Sequence, residues 1–121
     1  MPTEATMKAA LQAYLDHFNA GDADGLTALF AADATVEDPV GSPPHNGTDA
    51  IRAFYVDAMK NGAKLSLSAP MRGSHGNAAA MAFEAKIGTL TVRIIDVMTF
   101  NEAGKVTSMK AYFGPSDFIQ G

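Results

Sequence analysis

The chain has 121 residues, of which 47% are apolar and 18% charged, a composition that suits one globular domain spanning residues 1–121 and excludes a disordered chain. Its net charge is −4 and its Lys and Arg are scattered singly, as at Lys8, Arg52, Lys60 and Arg93, so neither nucleic acid nor an anionic membrane surface is expected as a partner. There is no cysteine, which excludes disulfides, thiolate zinc sites and a Cys nucleophile.

The opening stretch MPTEATMKAALQAYL has no basic segment followed by an apolar run, so no export signal is read from it. No apolar run approaches the roughly 18 residues that span a bilayer. A cytoplasmic location is the resulting expectation.

Met7, Leu11, Tyr14, Leu15 and Phe18 recur at spacings of three and four, which predicts an amphipathic helix over about Glu4 to Ala20. Asp22 is a suitable N-cap for a short second helix through Leu26, Leu29 and Phe30. Thr35 to Val40 read as a short extended segment, because the residue before Pro39 avoids the helical region. Gly41 to Gly47 form a loop by composition. Thr48 is expected to cap a third helix from about Asp49 to Lys60, with Ile51, Phe54, Tyr55 and Met59 facing inward and Asn61-Gly62 closing it. From Lys64 the pattern turns to strands, near Lys64–Arg72, Ala78–Ile87, Leu90–Asn101 and Lys105–Phe113, separated by turn signals at Gly73–Asn77, Gly88 and Glu102–Gly104. Short connections imply an antiparallel meander. Three helices followed by such a meander predict an α+β fold with the helices on one face of a curved, mostly antiparallel sheet.

Three polar residues fall in apolar places. In the strand from Leu90, the alternate positions Leu90, Val92, Ile94, Asp96, Met98 and Phe100 share one face. A carboxyl among five apolar side chains loses hydration, so its pKa rises and it tends to stay neutral, able to donate a hydrogen bond. Asp38 shares a face with Val36 and Val40, while Glu37 points away. Tyr14 lies on the stripe of the first helix, where its hydroxyl needs a partner if buried. Each has an ordinary structural explanation taken singly. Together, two buried carboxyls and a phenol are costly, and titratable groups pushed apart in pKa mark acid/base sites.

The blocks Asn19-Ala20-Gly21-Asp22, Ala28-Leu29-Phe30, Asp33 to Ser42, Gly47, Ile51-Arg52, Phe54-Tyr55, Ile95-Asp96-Val97-Met98, Gly104-Lys105-Val106 and Phe113-Gly114 carry Asp38 and Asp96, and Tyr14 precedes them. Over about Met7 to Gly114 the chain resembles the bacterial Δ5-3-ketosteroid isomerases; Asn61 to Thr89 match poorly. The resemblance implies a conical, barrel-like fold shared with nuclear-transport-factor-2-like (cystatin-like) proteins, a homodimer, and a cofactor-independent steroid Δ-isomerase. It implies Asp38 as the general base and Tyr14 and a neutral Asp96 as the two oxyanion donors. The chain departs from some members at Phe30, where they carry a further tyrosine, and at Phe113, where others have tryptophan. Tyr55 is then the one tyrosine left to partner Tyr14.

A flat steroid needs an apolar pocket, for which Val40, Phe54, Tyr55, Phe83, Met98 and Phe113 are the principal candidates, with Val36, Met59, Met81 and Met109 behind them. His17, His45 and His75 lack metal-ligand spacing, so neither metal nor cofactor is expected. On the opposite face of the strand from Leu90, Ile95 and Val97 are apolar, which suggests that two copies associate through the outer sheet face. Two other functions suit such a fold: a polyketide cyclase or epoxide hydrolase, the latter resembling an Asp–Arg–Asp arrangement that Arg52 and Arg93 are badly placed to complete, and a non-catalytic domain that binds an apolar ligand.

Overall fold

The structure is a computed structural model that describes residues Met1–Gly121. Helix α1 (Glu4–Asn19) is capped by Thr3, whose side chain accepts from the Thr6 N–H, and it buries the expected stripe Met7, Leu11, Tyr14, Leu15 and Phe18. Helix α2 (Ala23–Thr27) starts at Asp22, whose carboxylate accepts from the Gly25 N–H. It stops sooner than its apolar spacing predicts. The Leu29 carbonyl accepts from the Val106 N–H, and Phe30 pairs with Val106, so sheet pairing takes these residues from the helix.

Strand β1 (Phe30–Glu37) thus begins five residues before the expected segment. A two-residue strand β2 (His45–Asn46) follows, then helix α3 (Thr48–Met59). The N-cap of α3 is Gly47, at φ 85, with no side-chain cap bond, so Thr48 is the first helical residue rather than the cap. A positive φ of this size is one that glycine alone adopts without cost.

Strands β3 (Lys64–Leu67), β4 (Ala78–Ile87), β5 (Leu90–Phe100) and β6 (Val106–Tyr112) complete the meander. Strand β3 is only four residues long, because Pro70, which has no N–H, lies ahead. The chain touches the sheet again at Arg72, bridged to Ala80. A further short strand, β7 (Phe118–Gln120), follows a 3-10 turn at Pro115–Asp117 and pairs with Leu90–Val92 of β5.

The sheet runs β2-β1-β6-β5-β4-β3, with β7 against β5. Every pairing is antiparallel except β1 with β6, which is parallel. The expected α+β architecture is present, with a mixed sheet that is mostly antiparallel. Helices α1 and α3 cover its inner face, and their stripes join alternate residues of β4, β5 and β6 in one core. No helix is long and apolar enough to cross a membrane.

Candidate functional site

Register fixes how deep each residue lies beneath the helices. Along β5, Asp96 sits between Met81 of β4 and Ala111 of β6; Ile94 is opposite Phe83; Val92 is opposite Ala85, which in turn faces Leu65 of β3. A rise of about 3.3 Å per residue puts the Asp96 row about 13 Å from the Val92 row along the strand. Between these rows and the helices lies a cavity of about 260 Å³.

Tyr14 and Phe18 of α1, Phe54, Tyr55 and Ala58 of α3, and Ile94 and Val92 of β5 contribute walls to that cavity. Asp38 enters from the loop after β1, and Phe113 and Phe118 from the end of the chain. The non-aromatic polar side chains of the lining are Asp38 and Asn61 alone; no Lys, Arg or His contributes.

Tyr14 and Tyr55 are 3% and 1% exposed, and their hydroxyls are 3.0 Å apart. Burial pushes both phenols well above their ordinary range, and the negative charge of Asp38 pushes both further. A phenol held protonated keeps its hydrogen available for donation. Phe54 packs edge to face on Tyr55 at 5.0 Å and stacks on His45 at 4.5 Å, which fixes the tyrosine pair from behind.

Asp38 is held one residue beyond β1. The Val40 N–H donates to the Ala111 carbonyl at 2.8 Å, the Gly41 N–H donates to Glu37 Oε2 at 2.8 Å, and the Ser42 hydroxyl donates to the Pro39 carbonyl at 2.6 Å. Those bonds anchor the turn on both sides of Asp38, while its own carboxyl makes no protein hydrogen bond. Loss of hydration raises it from 3.8 to about 6, so it is a stronger base than an exposed carboxylate yet ionised at neutral pH.

Asp96 is 1% exposed, and neither of its carboxyl oxygens has a hydrogen-bond partner. Burial, aided by the charge of Asp38, raises its pKa strongly. Such a group is held as the neutral acid, with an O–H that donates to nothing in the protein. Asp96 lies two residues past the wall residue Ile94 along β5 and is not itself part of the cavity wall.

Of the residues singled out from the sequence, Tyr14, Asp38, Phe54, Tyr55 and Phe113 border the cavity. Asp96, Met98, Phe83 and Val40 do not, nor do Val36, Met59, Met81 and Met109. Met98 and Phe83 are 1% and 3% exposed, buried in the core rather than lining this space. Val40 is 40% exposed because the strand stops at Glu37 and the chain turns, carrying Val40 to the outer face instead of leaving it beside Asp38. It lies there in a wider depression of about 710 Å³ with Ile95 and Tyr112. The titratable groups of that depression, Glu84, Arg93 and Asp117, are at the surface, and Arg93 is 3.4 Å from Asp117. The smaller cavity is the better site, because it alone joins a shifted carboxyl to a phenol pair. The other ten wall residues, among them Phe18, Ala58, Asn61 and Phe118, were not singled out as site residues from the sequence. Phe18 and Ala58 follow Tyr14 and Tyr55 by four and three residues on the same helix faces, a signal that was available. No three His, Cys, Asp or Glu side chains converge as a metal site.

Residues 11–109 match the family model of the SnoaL-like domain. A steroid Δ-isomerase of Nocardioides simplex is 40% identical over 122 residues, covering 95% of both chains. The epoxide hydrolase LasB of Streptomyces lasalocidi is 26% identical over 97% of this chain, which spans only 44% of that protein. The solved structure of SalBIII, described as an epoxide hydrolase/cyclase-like enzyme with a role in pyran ring formation in the polyether salinomycin, superposes with a TM-score of 0.92 over the whole of both chains at 26% identity. The chain therefore belongs to the SnoaL-like family, within the nuclear-transport-factor-2-like superfamily, and to its bacterial ketosteroid isomerase branch.

Proposed function

We propose that this protein is an enzyme that converts 3-oxo-Δ5-steroids to 3-oxo-Δ4-steroids without a cofactor. The observation that carries the reading is the buried Asp96 carboxyl, with both oxygens unpartnered, within electrostatic reach of the Tyr14–Tyr55 pair and of Asp38.

Asp38 takes the C4 proton of the bound steroid, and the electron pair moves toward the C3 oxygen to form a dienolate. Tyr14 and neutral Asp96 donate hydrogen bonds to that oxygen. Asp38 returns the same proton to C6, and the double bond becomes conjugated with the ketone. The C–H bond is too weakly acidic for a carboxylate acting alone, so charge on oxygen must be stabilised as it develops. Donors already oriented in a site closed to water need no rearrangement at that moment, and one such donor is worth roughly 10²–10³ in rate.

The likeness to epoxide hydrolase and cyclase-like enzymes raises a second reading. Two facts of the cavity weigh against it. Its lining holds no basic side chain, and both arginines considered for an Asp–Arg–Asp set are engaged elsewhere, Arg52 with Asp24 at 2.7 Å and Arg93 with Asp117. Adding a 3-oxo-Δ5-steroid and following the ultraviolet absorbance of the conjugated enone tests the assignment. Turnover that is lost in Asp38→Asn supports it. Well-folded protein that leaves the steroid unchanged overturns it.

The outer sheet face supports a homodimer. Ile95 and Tyr112, neighbours across β5 and β6, are 48% and 47% exposed. Adjacent apolar side chains left in water are the usual ground for association.

A further inference from the structure

The cavity's two polar ends differ in kind. Asp38, Tyr14 and Tyr55 gather toward the Asp96 row. At the opposite end, beyond Tyr55 and Ala58 on the course of α3, the remaining polar wall residue is Asn61. It lies two residues past the end of α3, in the turn that leads to β3.

Asn61 has a defined orientation. The Ala63 N–H donates to its Oδ1 at 3.1 Å. A backbone N–H can be accepted only by the amide oxygen, so the bond settles which end of the side chain faces the turn. Asn61 is exposed, and the two N–H donors of its Nδ2 have no protein acceptor at this end of an otherwise apolar cavity.

We propose that Asn61 is a specificity residue, whose amide N–H donates to an oxygen at the end of the substrate remote from the reacting ketone. On a 3-oxosteroid that position is C17, at the far edge of the fourth ring. The inference rests on the reading of the cavity as a steroid site and adds to it a selected substrate class, steroids with a C17 ketone or hydroxyl. The energetics favour a modest effect. A neutral hydrogen bond near the surface contributes about 0.5–1.5 kcal/mol net, and the contact is made equally in the ground and transition states. It therefore lowers KM and leaves kcat unchanged.

The test uses two conjugated 3-oxo-Δ4-steroids as non-reacting probes, one with a ketone at C17 and one with a methylene there. Equilibrium binding to the wild type, Asn61→Ala and Asn61→Asp is compared. The wild type should bind the C17 ketone about three- to tenfold more tightly. Asn61→Ala should lose that preference while binding the methylene probe as the wild type does. In Asn61→Asp the carboxylate keeps the Ala63 bond but repels the ketone oxygen, so the preference should reverse. Equal binding of both probes to the wild type, or a preference that survives in Asn61→Ala, overturns the inference and leaves the steroid site standing. Failure of the wild type to bind either probe overturns both.

Discussion

The hydroxyls of Tyr14 and Tyr55 lie 3.0 Å apart, and their rings meet edge to face at 5.7 Å. The two phenols come from different helices, so the bond ties α1 to α3 across the inner wall of the cavity. If Tyr55 donates to Tyr14, the Tyr14 hydrogen is free to point at a substrate oxygen, and the accepted bond makes it a better donor. Tyr14→Phe should then cost about 10²–10³ in kcat. Tyr55→Phe should cost tenfold or less, the worth of one supporting hydrogen bond. Steady-state kinetics of the two variants checks the ranking; equal losses would contradict it.

Asp96→Asn and Asp96→Ala separate donation from charge. The amide can still donate, so Asp96→Asn should retain at least tenfold more activity than Asp96→Ala. Stability should move the other way for an apolar replacement of similar size. Asp96→Leu removes a buried carboxyl with two unpartnered oxygens, a group that costs about 1–3 kcal/mol, and should raise the thermal midpoint while cutting turnover by about 10²–10³. A lower midpoint would mean that Asp96 is a satisfied structural group.

Asp38 gives the pH dependence a sign. Its pKa in the folded protein is raised to about 6 from 3.8. Only the ionised form can accept a proton, so activity should rise through about pH 6 and level off above it. Between about pH 4 and pH 6 the folded state holds more protons at this group than the unfolded state does. Its contribution to stability therefore falls as pH rises through that window. Asp38→Asn removes the charged form, and should stabilise the protein at pH 7 but not at pH 4. Denaturant unfolding at the two pH values measures this, and an equal effect at both would contradict the assigned shift.

The outer face makes a separate prediction. Ile95→Lys places a charge on the exposed apolar patch shared with Tyr112. Sedimentation at micromolar concentration should show a dimer for the wild type and a monomer for the variant. A wild type that stays monomeric would leave this patch unexplained.

Much of this site was legible because its residues belong to regular elements. Alternation along β5 put Asp96 among Val92, Ile94, Met98 and Phe100, and spacing along α1 put Tyr14 beside Leu11, Leu15 and Phe18; both patterns are local. What was missed depends on partners distant in sequence. The parallel pairing of β1 with β6 draws Phe30 out of a helix, and nothing near Phe30 announces Val106. Strand β7 is three exposed residues that owe their conformation to Leu90–Val92. With it went Phe118, which meets Phe113 edge to face at 5.7 Å and contributes to the cavity wall. Val40 was misplaced for a related reason: alternation was continued past the residue where the strand stops.

In the proposed reaction one carboxylate, Asp38, carries a proton between two carbons of a steroid that fills the cavity. A steroid labelled with deuterium at C4 reports on this. The product should carry a substantial fraction of that deuterium at C6, because the proton held by Asp38 is returned before water reaches it. Product whose new C6 hydrogen comes wholly from solvent would contradict the account.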